Sequence, residues 1–153
     1  MPRLLIFAPC ERVIIDQHNV ISIITVLQEL RLELPELPQP PAENTDEKTP
    51  VIPMKWDVLT FWTKTDDDEP ETIYQTRFAL IDPTGRAFSG FGGSMEFSFQ
   101  DKTNYRLITT VLGFPVLHDG RHLVRLWLHK KGEPEGDAIS EFPIVLTRSK
   151  PKD

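Results

Sequence analysis

The stretch from Tyr105 to Lys131, YRLITTVLGFPVLHDGRHLVRLWLHKK, constrains the fold more than any other part of the chain. Tyr105, Leu107, Thr109 and Val111 share one parity, and Arg106, Ile108, Thr110 and Leu112 the other. After a break from Gly113 to Gly120, His122, Val124, Leu126 and Leu128 form an apolar set opposite Arg121, Leu123, Arg125, Trp127 and His129. Side chains alternate between the two faces of a strand, so this period of two predicts two antiparallel strands. The break exceeds a tight two-residue turn and predicts an extended connection.

The same period recurs along the chain. Tyr74, Thr76, Phe78 and Leu80 point to a core while Gln75 and Arg77 face away. Asp82-Pro83-Thr84-Gly85 then predicts a turn, with Pro83 presetting one torsion, Gly85 accepting a positive φ, and Asp82 as a backbone acceptor. Met95, Phe97 and Phe99 alternate with polar neighbours, and Phe142, Ile144, Leu146 and Arg148 share one parity of a last strand with Pro143 at its edge or start. In KWDVLTFWTK, Trp56, Val58, Thr60 and Trp62 oppose Asp57, Leu59, Phe61 and Thr63. Apolar bulk on both parities predicts a central strand, or one covered by another element or a partner.

Two segments are less regular. Leu4 to Ile15 is interrupted by Pro9, which predicts an edge strand with a bulge or two short strands. Asp16 to Asn19 is a polar turn with His18 exposed; Val20 to about Glu29 is then rich in β-branched residues and reads as one strand, despite the helix-like spacing of Leu27, Leu30 and Leu34. The glycines Gly90, Gly92 and Gly93 lack the strand-to-helix setting of a phosphate cradle and predict a bulged strand or a flexible crossover. Together these segments predict an all-β, two-sheet, mainly antiparallel sandwich of seven or eight strands.

A length of 153 residues fits one domain, expected over residues 1–148 with a frayed tail at 149–153. The proline-rich acidic stretch at about 35–53 predicts a surface excursion between strands. The net charge of −6 argues against a general polyanion-binding surface, so nucleic acid is disfavoured even though Arg106, Arg121, Arg125, Lys130 and Trp127 could contribute contacts. The lone Cys10 cannot form an internal disulfide, and without a signal-like or membrane-length apolar run the expected setting is cytoplasmic.

Two clusters are candidates for function. Arg125, Trp127 and His129 share a face that offers polar and aromatic contacts, and Trp56 and Trp62 would extend an interaction surface. Cys10, Glu11, Asp82, His118 and His122 could form a polar site if distant loops converge. No nucleophile motif surrounds Cys10, and His118 and His122 straddle the Asp119-Gly120 turn, so neither a catalytic residue nor a zinc set is assigned. The acidic run from Asp66 to Glu71 lacks calcium-loop spacing and reads as a solvated loop. No metal or cofactor is expected.

The opening with Cys10 and Asp16, Ser22, the proline-rich break, RFALIDPTGR from Arg77 and GRHLVRLWL from Gly120 make a pattern that resembles an uncharacterised bacterial and phage family of small β-sandwich proteins. That resemblance implies an immunoglobulin-like or related sandwich and transfers no catalytic residue. His122 stands where the resemblance implies an aromatic. The expected function is a non-enzymatic protein-binding or assembly module, acting on an unknown protein or as a homodimer. The alternatives are a small-ligand-binding protein or hydrolase with a loop-built site, and a phage or bacterial structural component.

Overall fold

The computed structural model describes residues 1–33 and 49–150. Among them run nine strands and no helix: β1 Arg3–Ile15, β2 Ile21–Val26, β3 Glu29–Glu33, β4 Val51–Thr63, β5 Tyr74–Ile81, β6 Ala87–Phe97, β7 Asn104–Pro115, β8 Gly120–Lys130 and β9 Ser140–Ser149. They form a four-stranded sheet in the order β2-β1-β4-β7 and a five-stranded sheet in the order β3-β9-β8-β5-β6. Every pairing is antiparallel except that of β3 with β9.

The inward parity of each strand builds one core between the sheets. Trp56, Val58 and Trp62 from β4 and Val111 and Phe114 from β7 meet Tyr74, Phe78 and Leu80 from β5, Val124, Leu126 and Leu128 from β8, and Ile144 and Leu146 from β9. Aromatic rings fill one end: Phe97 stacks on Trp62 with centroids 5.8 Å apart and on Tyr105 at 5.1 Å. The indole N–H groups do not go unpaired, since Trp56 donates to the Gly113 carbonyl at 2.9 Å and Trp62 to the Thr60 hydroxyl at 3.0 Å. Burying rings of this size contributes several kcal/mol, on the order of 25 cal/mol per Å² of apolar surface removed from water.

The architecture agrees with the predicted two-sheet all-β class but departs from the expectations at four places. The strand count is nine, because Val20–Glu29 is not one strand: β2 and β3 lie in different sheets. The chain crosses at Leu27, whose buried side chain joins the core while its N–H donates to the Pro9 carbonyl and the Gln28 carbonyl accepts from Val145. Second, the expected strands β7 and β8 do not pair with each other, and the connection is shorter than the Gly113–Gly120 break, since β7 runs on to Pro115 and Val116 to Asp119 carries the chain from one sheet to the other. Third, Pro9 lies within the continuous β1, opposite Val58, and β4 already begins at Val51 and includes Pro53. Fourth, Pro143 sits in β9 between two neighbours, but β3 pairs only Val145 to Ser149, so no ladder bond is asked of it there. The proline-rich excursion falls largely on residues 34–48, and the tail on 151–153, outside the described residues.

The outer parity of β4 explains its apolar bulk. Ala8, Leu59 and Ile108 form one cross-strand row and Ile6, Phe61 and Arg106 the next, on the face turned away from the core. Leu59 is nevertheless fully buried, and Ala8 and Asp57 nearly so. The cover is the hairpin of β1 and β2: Asp57 accepts the Val13 N–H, and Arg106 donates to Asn19 at the hairpin tip. An element of the same chain thus covers the second face of β4.

Candidate functional site

The β1–β2 hairpin is the part of the fold whose placement creates both a recess and a sheet edge with no neighbouring strand among the described residues. It forms because the β-branched runs VII and ISII flank the polar turn at Asp16 to Asn19. There the Asp16 carboxylate accepts the N–H groups of His18 and Val20, at 2.8 and 2.9 Å, and Asn19 takes a left-handed conformation that its short amide side chain tolerates. The register sets Ile15 opposite Ile21 and Val13 opposite Ile23, on the half-buried side that meets the sheet, with Ile15 still partly exposed near the tip. Ile14 and Ile24 lie on the other side, in the rows Ile14–Ser22 and Arg12–Ile24.

Two anchors hold the hairpin down. Near its base, Oδ2 of Asp57 accepts the Val13 N–H at 2.9 Å while Oδ1 accepts the Thr110 hydroxyl at 2.7 Å. At its tip, the Arg106 guanidinium donates to the Asn19 carbonyl at 3.2 Å and to the Asn19 side-chain oxygen. Between tip and sheet lies a half-open groove of about 660 Å³. Its floor is Ile6, Ile21 and Phe61, and its rim carries Lys102, Asn104, Tyr105 and Arg106. The Lys102 ammonium stands 5.7 Å from the centre of the Tyr105 ring.

The predicted polar site divides into two. Asp82, His118 and His122 share one end of the sandwich, close enough that their charges influence one another. Cys10 and Glu11 are elsewhere, with Cys10 opposite Asp57 in the ladder and Glu11 exposed. Burial, reinforced by the Asp57 carboxylate, pushes the Cys10 thiol up to about 11, so it stays protonated and is a poor nucleophile at neutral pH. Asp82 is consumed by its turn: Oδ1 accepts the Thr84 N–H, the Thr84 hydroxyl and the Arg86 N–H. Burial opposes its charge, but these bonds outweigh that and hold its carboxyl below the usual range. His122 lies wholly in the core, stacked on Phe88 with centroids 6.0 Å apart and edge-on to Phe114 at 5.5 Å. It fills an aromatic slot rather than facing a substrate, and no three His, Cys, Asp or Glu side chains among the described residues are grouped to hold a metal ion.

The predicted interaction surface is corrected in part. Trp56 and Trp62 have no solvent exposure and belong to the core, because their parity of β4 faces the opposite sheet. Arg125, Trp127 and His129 do share the outer face of the five-stranded sheet, but each already has a partner within the chain. The Arg77 guanidinium covers the Trp127 ring at 3.8 Å and is itself gripped by both carboxylate oxygens of Glu135, at 2.7 and 2.6 Å. Arg125 pairs with Glu141, and His129 with Gln75. A face satisfied in this way gives up existing bonds before it gains new ones.

Sequence reasoning missed Asp57, Arg106 and Asn19 as a set because the three are joined only by the fold. The one local signal was the double-sided apolar pattern of β4, which required a cover without naming it. Among the described residues no helix is long and apolar enough to cross a membrane. Compared with family models and with curated proteins, the chain matches none.

Proposed function

We propose that the chain is a non-enzymatic assembly module, an immunoglobulin-like sandwich that pairs with a second copy of itself through the outer side and free edge of the β1–β2 hairpin. The immunoglobulin-like reading rests on β1, β4 and β7 forming one sheet against β9, β8, β5 and β6, with β3 added parallel to β9 after the chain changes sheets. One observation carries the functional reading. Ile14, Ile15, Val20, Ile24 and Val26 are each more than a third exposed on one hairpin. Among the described residues the strand that bears two of them, β2, has a neighbour on one side only.

Edge strands are ordinarily protected by charge, proline or irregular backbone. The edge strand β3 alternates Glu29, Arg31 and Glu33, and the edge strand β6 carries Gly90 at positive φ. Ile21 to Ile24 of β2 holds only Ile and Ser, with irregular backbone appearing first at Thr25. An antiparallel edge is self-complementary about a two-fold axis, so a second copy satisfies the open N–H and C=O groups and covers Ile24 and Ile14 in one step. The strands under the outer face around Trp127 have neighbours on both sides, and Arg77 and Arg125 already hold carboxylates there, which favours the hairpin over the surface expected from sequence.

Sedimentation equilibrium tests this reading. A concentration-dependent dimer is expected for the native chain at concentrations on the order of 0.1 mM, and a monomer for Ile24→Lys with an unchanged melting temperature. A native chain that stays monomeric at that concentration, or an Ile24→Lys variant that dimerises equally well, sinks it.

A further inference from the structure

We propose that the groove between the hairpin tip and β7 binds a small organic anion: a carboxylate carried on a planar apolar body. This rests on the inner side of the hairpin and is independent of the self-pairing proposed for its outer side.

The first argument is charge. The protein is acidic overall, and five of its cations are matched by carboxylates, Arg31 by Glu29, Arg77 by Glu135, Arg125 by Glu141, Lys131 by Glu96 and Arg148 by Asp119; of the cations left without one among the described residues, Lys102 and Arg106 are the pair that line a common groove. Lys102 and Arg106 line one groove, and neither has a carboxylate within ion-pair distance among the described residues. Two positive charges on one groove favour an anion there, which both can attract.

The second argument is donor geometry. A guanidinium carries five N–H donors in a rigid plane. Arg106 directs one from Nη1 and one from Nη2 to the two neutral oxygens of Asn19. Its Nε–H and the remaining N–H groups stay available, and because Asn19 fixes the plane, little rotamer freedom is left to lose when a carboxylate docks as a two-point acceptor. The half-buried position of Arg106 strengthens that contact relative to a fully solvated arginine.

The third argument is shape. Ile6, Ile21 and Phe61 give the groove an apolar lining, and its roughly 660 Å³ falls in the range that small-molecule sites occupy. The anionic head would lie between Lys102 and Arg106 and the planar body on Phe61. Asn104 at the rim can hydrogen-bond a polar substituent.

The test is a titration of the full, nitrogen-15-labelled chain followed by amide shifts. The probes are 3-phenylpropionate, its neutral analogue 3-phenylpropanamide, and acetate. Saturable shifts confined to Asn19, Ile21, Phe61 and Lys102 to Arg106 are expected for 3-phenylpropionate. The amide and acetate should each bind about tenfold more weakly, since each lacks one half of the recognition. Lys102→Gln, an exposed position that leaves the hairpin anchor intact, should weaken 3-phenylpropionate binding several-fold without changing amide binding. Arg106→Lys keeps the charge, removes the planar fork and should weaken it further. Failure to saturate, equal binding of the amide, equal binding of acetate, or shifts centred on other residues would each overturn the proposal.

Discussion

The Asp57 carboxylate accepts the backbone N–H of Val13 at 2.9 Å, tying the middle of β4 to a hairpin that starts from the neighbouring strand. The same carboxylate accepts the Thr110 hydroxyl at 2.7 Å and is almost fully buried. One side chain therefore joins β1, β4 and β7, and the groove and the exposed edge both depend on the hairpin it holds.

Asp57→Asn should loosen this connection. The amide keeps the size of the carboxylate but loses its charge and one acceptor oxygen, so both bonds become neutral and the Thr110 hydroxyl must turn round to accept from Nδ2 if Oδ1 keeps the Val13 N–H. A loss of about 1–3 kcal/mol in chemical denaturation is expected, with faster amide exchange at Val13 and along β2 than in the β5–β8 pair. Exchange at Val13 that remains as slow as in the native chain would show that the hairpin is held by apolar contact alone.

Asp68 should control acid stability. Although it lies in the acidic run from Asp66 to Glu71, it is buried, and it accepts the Thr65 N–H and hydroxyl at 2.8 Å each and the Tyr74 hydroxyl at 2.6 Å. Burial works against its charge, but the bonds from Tyr74 and Thr65 and from the amino group of Met1 win and hold its carboxyl at about 2. The folded value lies below the unfolded value of 3.8, so the contribution is complete above about pH 4 and disappears as pH falls toward 2. Asp68→Asn should cost about 1.5–3 kcal/mol at pH 7 and flatten the stability profile between pH 4 and 2. A variant with the native profile over that range would reject the assignment.

These two aspartates mark where sequence stopped being informative. The alternation of Tyr74 to Leu80 and of His122 to Leu128 is a local property, and both runs became strands with the expected inward faces. Asp68 looked like its neighbours because burial of one carboxylate in an acidic run depends on Tyr74, six residues away across a turn. The sheet change after Val26 has no glycine or proline to announce it; it is made by Thr25 at positive φ and the burial of Leu27. Trp56 and Trp62 were assigned to a surface because both parities of β4 are apolar, and choosing the core parity requires knowing that the hairpin covers Leu59. Cys10 and Asp82, joined in the expected polar site, are apart: Cys10 lies within β1 of the four-stranded sheet and Asp82 just follows β5 of the five-stranded one.

His122 should make the fold sensitive to mild acid. Its Nε2 is buried without a hydrogen-bond partner, while Nδ1 lies 3.3 Å from the Gly120 carbonyl. Burial lowers its pKa; the Gly120 carbonyl and Asp82 act the other way, and His118 and Arg148 add to the lowering. The unfolded chain therefore takes up a proton at higher pH than the folded one, and stability is complete above about pH 6.5 and declines as pH falls through the lower folded value. His122→Phe, between the rings of Phe88 and Phe114, should remove that decline and the unpartnered nitrogen together, with a gain on the order of 1 kcal/mol at pH 5. Melting curves at pH 7 and pH 5 that shift equally in both proteins would contradict this account.

Gly113 tests how tightly β7 and β4 meet at the irregular step in their register between Ile52 and Lys55. Its φ is +84°, and a Cβ placed there would lie 2.3 Å from Cγ1 of Val51. Its carbonyl also receives the Trp56 indole N–H, so displacement of the backbone to relieve the clash would weaken that buried bond. Gly113→Ala should cost about 2–4 kcal/mol, combining left-handed backbone strain with overpacking. The two causes separate in a double-mutant cycle. Val51→Ala removes the clashing methyl from a partly exposed side chain, so Gly113→Ala made in that background should cost only the strain, about 1 kcal/mol. An equal cost in both backgrounds would assign the whole effect to the backbone torsion and remove Val51 from the explanation.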